Sequence, residues 1–579
     1  MTEIPGPSAD ERVEELLAEY GSGDMCVADL LCDRHEPDAL AVSVIRPDLH
    51  VTDLTFRELR ERSEHLAAGL ARIGVGSGSR VAALMPKTVD LPVVMLAIWR
   101  LGAVYVPLFT GLETQALAVR LRESAPTVVI AHAGQRAKLD LGGGVPGTPP
   151  WTVIVSGIDS GQDLLRPSDH RLDIVSSAED STHPAAVVGA SGTIVQLYTS
   201  GTTGQPKGVA IPARALAAFV AYQEFGLDHR HDDVFWNAAD PGWAYGLYYS
   251  LIAPLATGRR TVLLDSGFSA ATTWRVLQHL HVTNFAAAPT IYRALRASEE
   301  PVPDGLALRC ASSAGEPLNP DVVTWAEQAI GIPVRDQYGQ TELGMVAINA
   351  QWPQLQAPLK PGSMGQAMPG FRIAVLSPNE DSEAAPGEHG RIAIDIAQSP
   401  LMWFSGYNSG TSSSGNLAGG EWHITGDTGY MDEDGYIFFS GRDDDVIIMA
   451  GYRIGPFEVE SVLVSHPAVA EAAVIAVPDE IRGELAEAFV VLRDGFHASD
   501  HLAAELQQLV KTRHAAHAYP RRIHFAAELP KTSSGKILRY KLRLQRRAEL
   551  TPSLPGAGPT TLEETVRTQE RADASKPES

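Results

Sequence analysis

Along residues 55–74, TFRELRERSEHLAAGLARIG, apolar side chains return at helical spacing until Gly74. That period predicts a helix with one buried stripe, ended by a glycine. The stretch SRVAALMP (79–86) is apolar without alternation, as a strand covered on both faces is. A helix over 88–101 follows, then a strand in AVYVPL (103–108), a helix in ETQALAVRLRESA (113–125) and a strand in PTVVIAH (126–132). Strands alternating with helices predict a parallel sheet with helices on both faces. RTVLLD (260–265), NFAAAP (284–289), LRCASSA (308–314) and PVRDQYG (333–339) repeat the alternation, each after a helix-like segment. The expected fold class is α/β.

The pattern changes over 371–450, where FRIAVLS, GRIAIDI, GYIFFSG and DDVIIMAG are short apolar runs separated by Gly, Asp and Asn. They predict a β-rich piece. Beyond it the alternation restarts, with helices in EVESVLVSH (458–466) and HLAAELQQLVKTR (501–513) and strands in VAEAAVIAVPD (469–479) and AEAFVVLR (486–493). The layout expected is a large N-terminal domain over 1–443, of parallel α/β sheets with a β-rich subdomain. It is hinged to a small α+β C-terminal domain over 444–550. Residues 551–579 are rich in Pro, Ser and charge with no apolar period, and are expected to be a disordered tail. SGTSSSGNLAGG (409–420) reads as a mobile loop, and no internal repeat is visible.

Charge narrows the partners. The 579 residues carry a net charge of -23, which argues against nucleic acid or an anionic membrane, since both need a positive face. Cys26, Cys32 and Cys310 are too few for a disulfide framework and fit no zinc spacing. The N-terminal MTEIPGPSADERVEELL is acidic and lacks a basic segment followed by an apolar core, so no signal peptide is expected. The longest apolar run, LPVVMLAIWRLGAVYVPL (91–108), is interrupted by Arg100 and two prolines. It reads as a buried helix leading into a strand rather than a membrane span. A soluble cytoplasmic protein is the expectation, with homo-oligomerisation left open.

The first candidate chemistry is LYTSGTTGQPKGV (197–209). A Walker A loop reads G-x-x-x-x-G-K-[ST]. Counting from Gly201, the second glycine is replaced by Pro206, Lys207 is in register, and the metal-binding hydroxyl is replaced by Gly208. Pro206 also disfavours helix at Gln205, whereas a Walker loop runs straight into one. What remains still suits an anion. The hydroxyls of Thr199, Ser200, Thr202 and Thr203 and the backbone N–H groups can converge, and Gly201 and Gly204 let the chain wrap.

The string YTSGTTGQPKG resembles the phosphate-binding signature of the acyl-adenylate-forming superfamily: acyl-CoA synthetases, adenylation domains of peptide synthetases, and luciferases. Further matches follow in that family's order, from about residue 50 to about 545. SSAGEPL (312–318) and RDQYGQTELG (335–344) resemble its adenine and metal segments. The resemblance assigns Gly315, Glu316, Pro317, Asp336, Gln337, Tyr338, Gly339, Gln340 and Thr341 to ATP. Tyr338 offers an aromatic face for adenine, Thr341 a hydroxyl for the α-phosphate, and Glu342 a hard oxygen ligand for Mg²⁺. In HITGDTGYMDEDGYIFFSGRDDD (423–445) the resemblance places Asp427 and Arg442 on the ribose and makes Asp444 the interdomain hinge. A carboxylate accepts from both vicinal hydroxyls, and a guanidinium adds donors. In ELPKTSSGKILRYKLR (528–543), Lys536 matches the family's catalytic lysine, which stabilises charge building at the α-phosphorus.

MAGYRIGPFEVES (449–461) and VPDEIRGELAEAFVVL (477–492) resemble the acyl-CoA synthetase branch, nearest its medium-chain members. There Ala450, Gly451 and Tyr452 line the pantetheine path, and Arg453, Arg482 and Lys511 meet CoA. AADPGWAYG (238–246) resembles the acyl-pocket segment, with Trp243 in its wall. Acetate-specific relatives carry tryptophan where this chain has Gly339, so the resemblance implies open room and an acid larger than acetate. The implied activity is ATP- and Mg²⁺-dependent ligation of such an acid to CoA through an acyl-AMP. The alternative is transfer to a separate carrier protein. No carrier-type serine motif is present in this chain. A P-loop ATPase and a non-catalytic nucleotide-binding protein are the readings from other classes.

Overall fold

The computed structural model describes residues 7–140, 151–158, 166–177, 185–200, 206–407, 417–418, 420–449, 452–479, 482–531 and 536–550. The tail expected after 550, the core of the loop at 409–420, and Gly201–Gln205, Ala450, Gly451 and 532–535 lie outside the described residues. The chain divides into two compact units. One comprises 1–374, 393–425 and 431–438; the other comprises 375–392, 426–430 and 439–579.

The first unit holds two large sheets. In the nine-stranded one, the inner strands run in the spatial order Gly344–Ile348, Val334–Gln340, Cys310–Ala314, Asn284–Ala287, Phe235–Asn237, Thr261–Leu264, Leu40–Ile45. From Val334–Gln340 to Leu40–Ile45 every neighbouring pair is parallel. The seven-stranded sheet has Arg80–Leu84 between Val104–Pro107 and Val128–His132, all parallel. These strands read as unbroken apolar runs because helices cover both faces. Phe235, Val262, Ala286 and Val129 are fully buried.

Local chemistry explains the element ends. Helix Phe56–Arg72 starts at a capping box: the Glu58 N–H donates to Thr55 Oγ1 (3.2 Å), and the Thr55 N–H donates to Glu58 Oε2 (2.9 Å). It stops before Gly74, whose φ is +93°. Helix Asp90–Arg100 is apolar nearly all round because every residue from Leu91 onward is buried. Arg100, which interrupts the apolar run in sequence, ends this helix 1% exposed. Its Nη1 donates to Asp33 Oδ2 at 2.8 Å and its Nε to Ser63 Oγ at 2.8 Å. The buried guanidinium is therefore paired, as burial demands. Among the described residues no helix is long and apolar enough to cross a membrane.

In the second unit, strands Tyr452–Ile454, Ile447–Met449, Gly483–Leu492 and Val469–Asp479 lie side by side, and Arg522–Phe525 pairs with Gly483–Leu492. Strand Val469–Asp479 alternates between two cores. Ala472 and Val474 join one with Val459, Leu463, Leu506 and Val510; Ala473, Ile475 and Val477 join the other with Leu529 and Leu542. Helices Pro456–Val464 and Asp500–Arg513 cover the first face, and helix Arg539–Leu550 the second. A further five-stranded sheet, with Trp422–Met431 at its centre, supplies stretches to both units. Large parallel α/β sheets and a smaller α+β unit are what the alternation of apolar runs implied.

Candidate active site

The lead-in of the glycine-rich segment is strand Thr193–Ser200, and the segment leaves through strand Pro206–Pro212. The two are antiparallel, with Thr199 opposite Lys207 and Ser200 opposite Pro206. A hairpin therefore stands where a Walker loop would open a helix. Pro206 takes the first position of a strand, where a missing N–H is tolerated. Lys207 leaves on a strand, and its Nζ lies 5.0 Å from the centre of the Tyr407 ring. Tyr407 also forms an antiparallel bridge with Val209 on the same strand.

Strands Val334–Gln340 and Gly344–Ile348 make a second hairpin, with a register shift between Tyr338 and Gly339. Its turn presents Thr341 and Glu342. The turn closes by Leu343 N–H donating to Gln340 O at 3.1 Å, and Gly344 takes φ +72°, which glycine alone adopts without strain. Tyr248 Oη donates to the Thr341 carbonyl at 3.0 Å, and Gln340 Nε2 to Thr425 O at 2.9 Å. Glu342 Oε1 accepts from Tyr407 Oη at 2.8 Å. The proposed metal carboxylate and the phosphate-hairpin lysine thus meet one phenol.

The other residues of this unit expected to take ATP lie on strand Val334–Gln340 and just past its neighbour Cys310–Ala314. Tyr338 is 9% exposed. Glu316 accepts from Thr290 Oγ1 at 2.9 Å and from Arg293 Nη2 at 2.6 Å, which braces Gly315 (φ +99°) and Pro317 beside it. Gln337 is 2% exposed, and its Nε2 donates to Gly226 O and Asn349 O at 3.2 and 3.4 Å; its amide serves main-chain packing. Asp336 is buried, its Oδ2 accepts from Leu318 N–H at 3.2 Å, and its Oδ1 has no protein partner. Burial pushes this carboxyl up to about 8.

Trp243 packs on Phe109, ring centroids 5.4 Å apart. Its segment is set by Asp240 Oδ1 accepting from Gly242 N–H at 2.8 Å, and it leads into a π-helical stretch, Leu247–Ile252. Tyr245 meets Tyr222 with the phenol oxygens 3.1 Å apart. The backbone places a further constraint on Gly339. A Cβ built there would lie 2.1 Å from Gly344 O and 2.6 Å from Met345 Cα. The glycine is required by close approach of the two strands, before any question of acyl size arises.

In the second unit, Arg442 Nη1 donates to Asp427 Oδ1 at 3.0 Å. Gly426 (φ +74°) makes room for this, since a Cβ there would lie 3.1 Å from Arg442 Nη2. The three consecutive aspartates separate. Asp443 accepts from Arg453 at 3.2 Å, Asp444 lies 3.9 Å from Arg442, and Asp445 pairs with Arg539 (3.6 Å) and with Arg543. Tyr452 is 54% exposed and stacks on His517 at 4.2 Å. Lys511 and Arg521 lie over the Tyr519 ring at 4.0 and 3.8 Å. The Arg482 N–H donates to Asp479 Oδ1 at 2.8 Å. Lys536 is exposed, and Lys531 forms an antiparallel bridge with Ile537. Tyr407, Tyr519 and Asp445 escaped the sequence reading.

The model of the family described as AMP-binding enzyme matches residues 32–407, and that of the AMP-binding enzyme C-terminal domain matches residues 458–536. The acetyl-coenzyme A synthetase of Bacillus subtilis (strain 168) is 36% identical over 495 residues, 84% of this chain and 84% of that protein. The mitochondrial acyl-coenzyme A synthetase ACSM3 of Rattus norvegicus is 34% identical over 495 residues, 84% of this chain and 83% of that protein. The crystal structure of the Brucella canis acyl-CoA synthetase matches with a TM-score of 0.72 and 41% identity, over 94% of this chain and 98% of that one.

Proposed function

The chain belongs to the AMP-binding enzyme family, and from that premise we propose that it is an AMP-forming carboxylic acid:CoA ligase. In the first half-reaction a carboxylate oxygen of the acid attacks the α-phosphorus of ATP, and pyrophosphate leaves, giving an acyl-AMP. In the second, the CoA thiolate attacks the acyl carbonyl and AMP leaves. The observation that carries the ATP chemistry is the meeting of Lys207 and Glu342 at Tyr407. A cation for phosphate oxygens and a hard oxygen ligand come together from segments far apart in sequence. Relatives named as acyl-CoA synthetases favour CoA as acceptor.

The residue roles follow from chemistry. Lys207 and the hairpin backbone bind the β- and γ-phosphates. Thr341 supplies a hydroxyl to the α-phosphate, Tyr338 and the Gly315–Pro317 segment receive adenine, and Asp427 with Arg442 holds the ribose. Lys536 neutralises charge as the α-phosphorus becomes pentacoordinate. Magnesium suits Glu342, because Mg²⁺ is commonly held by one or two carboxylates with water and substrate phosphates completing its shell. When bound, it neutralises the departing pyrophosphate. In this reading the segments carrying Lys536 and Gly451 serve the two half-reactions in turn, with Asp444 as pivot. Tyr452, Arg453, Arg482 and Lys511 receive CoA.

The acid is proposed to be larger than acetate: short- to medium-chain, branched or aromatic. Gly339 brings no indole into the acyl site, although its close strand contact gives it a second reason to be glycine. The test is pyrophosphate release over acetate, short, medium, branched and aromatic acids, with and without CoA, together with detection of the thioester. Acid-dependent pyrophosphate release with CoA thioester formation is expected. Release without transfer to free CoA would favour a carrier protein. Orthophosphate in place of pyrophosphate, or no release with any acid, would overturn the reading.

A further inference from the structure

Two segments distant in sequence converge on Tyr407. Its backbone bridges Val209 on the outgoing strand of the phosphate hairpin. Its hydroxyl donates to Glu342 Oε1 at 2.8 Å. Its ring faces the Lys207 ammonium, 5.0 Å from the centroid. Phe404 packs edge-on against it, 5.2 Å between centroids, which restrains the ring plane. We propose that Tyr407 is a positioning residue that aims the Glu342 carboxylate for the metal–nucleotide complex and holds Lys207 ready for the triphosphate.

The physical case rests on what a phenol offers. Its π-face is negative and attracts a cation, while its edge carries an acidic proton for an anion. One neutral side chain therefore gives each charge a partner without cancelling either. A carboxylate in place of Tyr407 would neutralise Lys207 and repel Glu342. An ammonium would do the reverse. An aliphatic residue would remove both contacts, and the entropy of ordering the two side chains would fall more heavily on nucleotide binding. The hydroxyl contacts Glu342 and the ring face contacts Lys207, so the two contacts can be removed separately.

The inference rests on the ligase reading, and the experiment separates the two. Binding of α,β-methylene-ATP to the full chain is measured by calorimetry in Mg²⁺ and in EDTA, for the native protein, Tyr407→Phe and Tyr407→Leu. The native protein is expected to bind more tightly with Mg²⁺. Tyr407→Phe should lose about ten-fold of that Mg²⁺-dependent gain, the scale of a hydrogen bond to a charged group, with its EDTA affinity kept within about two-fold because the ring remains. Tyr407→Leu should show the same loss and a further weakening of about three-fold in EDTA, the scale of an exposed cation–π contact. In pyrophosphate exchange, KM for Mg·ATP should rise more than kcat falls. An unchanged Mg²⁺ gain in Tyr407→Phe would overturn the inference while leaving the ligase reading intact. So would equal losses with and without Mg²⁺ in Tyr407→Phe, accompanied by a lowered unfolding midpoint, because they would mark a purely structural role. Failure of the native protein to bind the nucleotide under either condition would overturn the ligase reading itself.

Discussion

Replacing Asp336 by Asn should make the protein more stable at pH 8 than at pH 5, relative to the native chain. The carboxyl is 6% exposed, with one oxygen accepting from Leu318 N–H and the other without a protein partner. Desolvation raises its pKa from 3.8 to about 8. Because the folded-state value lies above the unfolded one, the folded chain binds the extra proton between them. Stability from this group is therefore full below about pH 4 and is lost as pH rises towards about 8. At about 1.4 kcal/mol per unit the whole interval is worth about 6 kcal/mol, an upper bound because buried sites relax. Near pH 5 the penalty is a small part of that, about 1–2 kcal/mol. Asn stays neutral and keeps an acceptor for Leu318, but buries an N–H₂ group at a cost of about 1–3 kcal/mol. The variant should be near parity or slightly weaker at pH 5 and ahead by about 2–4 kcal/mol at pH 8. Unfolding midpoints of both proteins across pH 5–8 read the difference, and parallel curves would refute a buried, proton-bound carboxyl.

Lys536→Ala should abolish acyl-AMP formation while largely sparing thioester formation from supplied acyl-AMP, read by pyrophosphate exchange and by thioester assay; equal loss of both would remove the role assigned to it. Asp445→Asn takes a half-buried acceptor from Arg539 and Arg543, so it should lower the unfolding midpoint of the second unit by an amount corresponding to about 2 kcal/mol. It should also slow adenylation, because the helix that follows Lys536 loses a tether; unchanged melting would show the pairing contributes nothing. Gly339→Ala places its Cβ 2.1 Å from a main-chain oxygen and should destabilise by about 3 kcal/mol. A variant that melts like the native protein would show that the two strands can part there without cost.

Much of the fold was legible along the chain. The unbroken apolar runs at 79–86, 126–132 and 284–289 became buried parallel strands, and the helical period over 55–74 became helix Phe56–Arg72. Part of the site was legible too. Pro206 and Gly208 ruled out a Walker loop, and the hairpin supplies the physical reason. The close strand contact at Gly339 was not legible, because strand proximity cannot be seen in a motif. Tyr407 was missed because nothing local to it marks a partner of Glu342, 65 residues away in sequence.

The sequence by itself determined which segments become strands and helices, and that the glycine-rich loop is not of Walker type. These are properties of neighbours within one or two turns, where periodicity, capping and the absent N–H of proline act. Tertiary structure alone decided that Arg100 could be buried, by pairing it with Asp33. It alone decided that Gly339 must lack a side chain, by bringing Gly344 against it. It alone placed Lys207 and Glu342 on the two aspects of one phenol. Each of these depends on contacts between residues that chain order does not make neighbours, and only the packed fold brings such residues within reach.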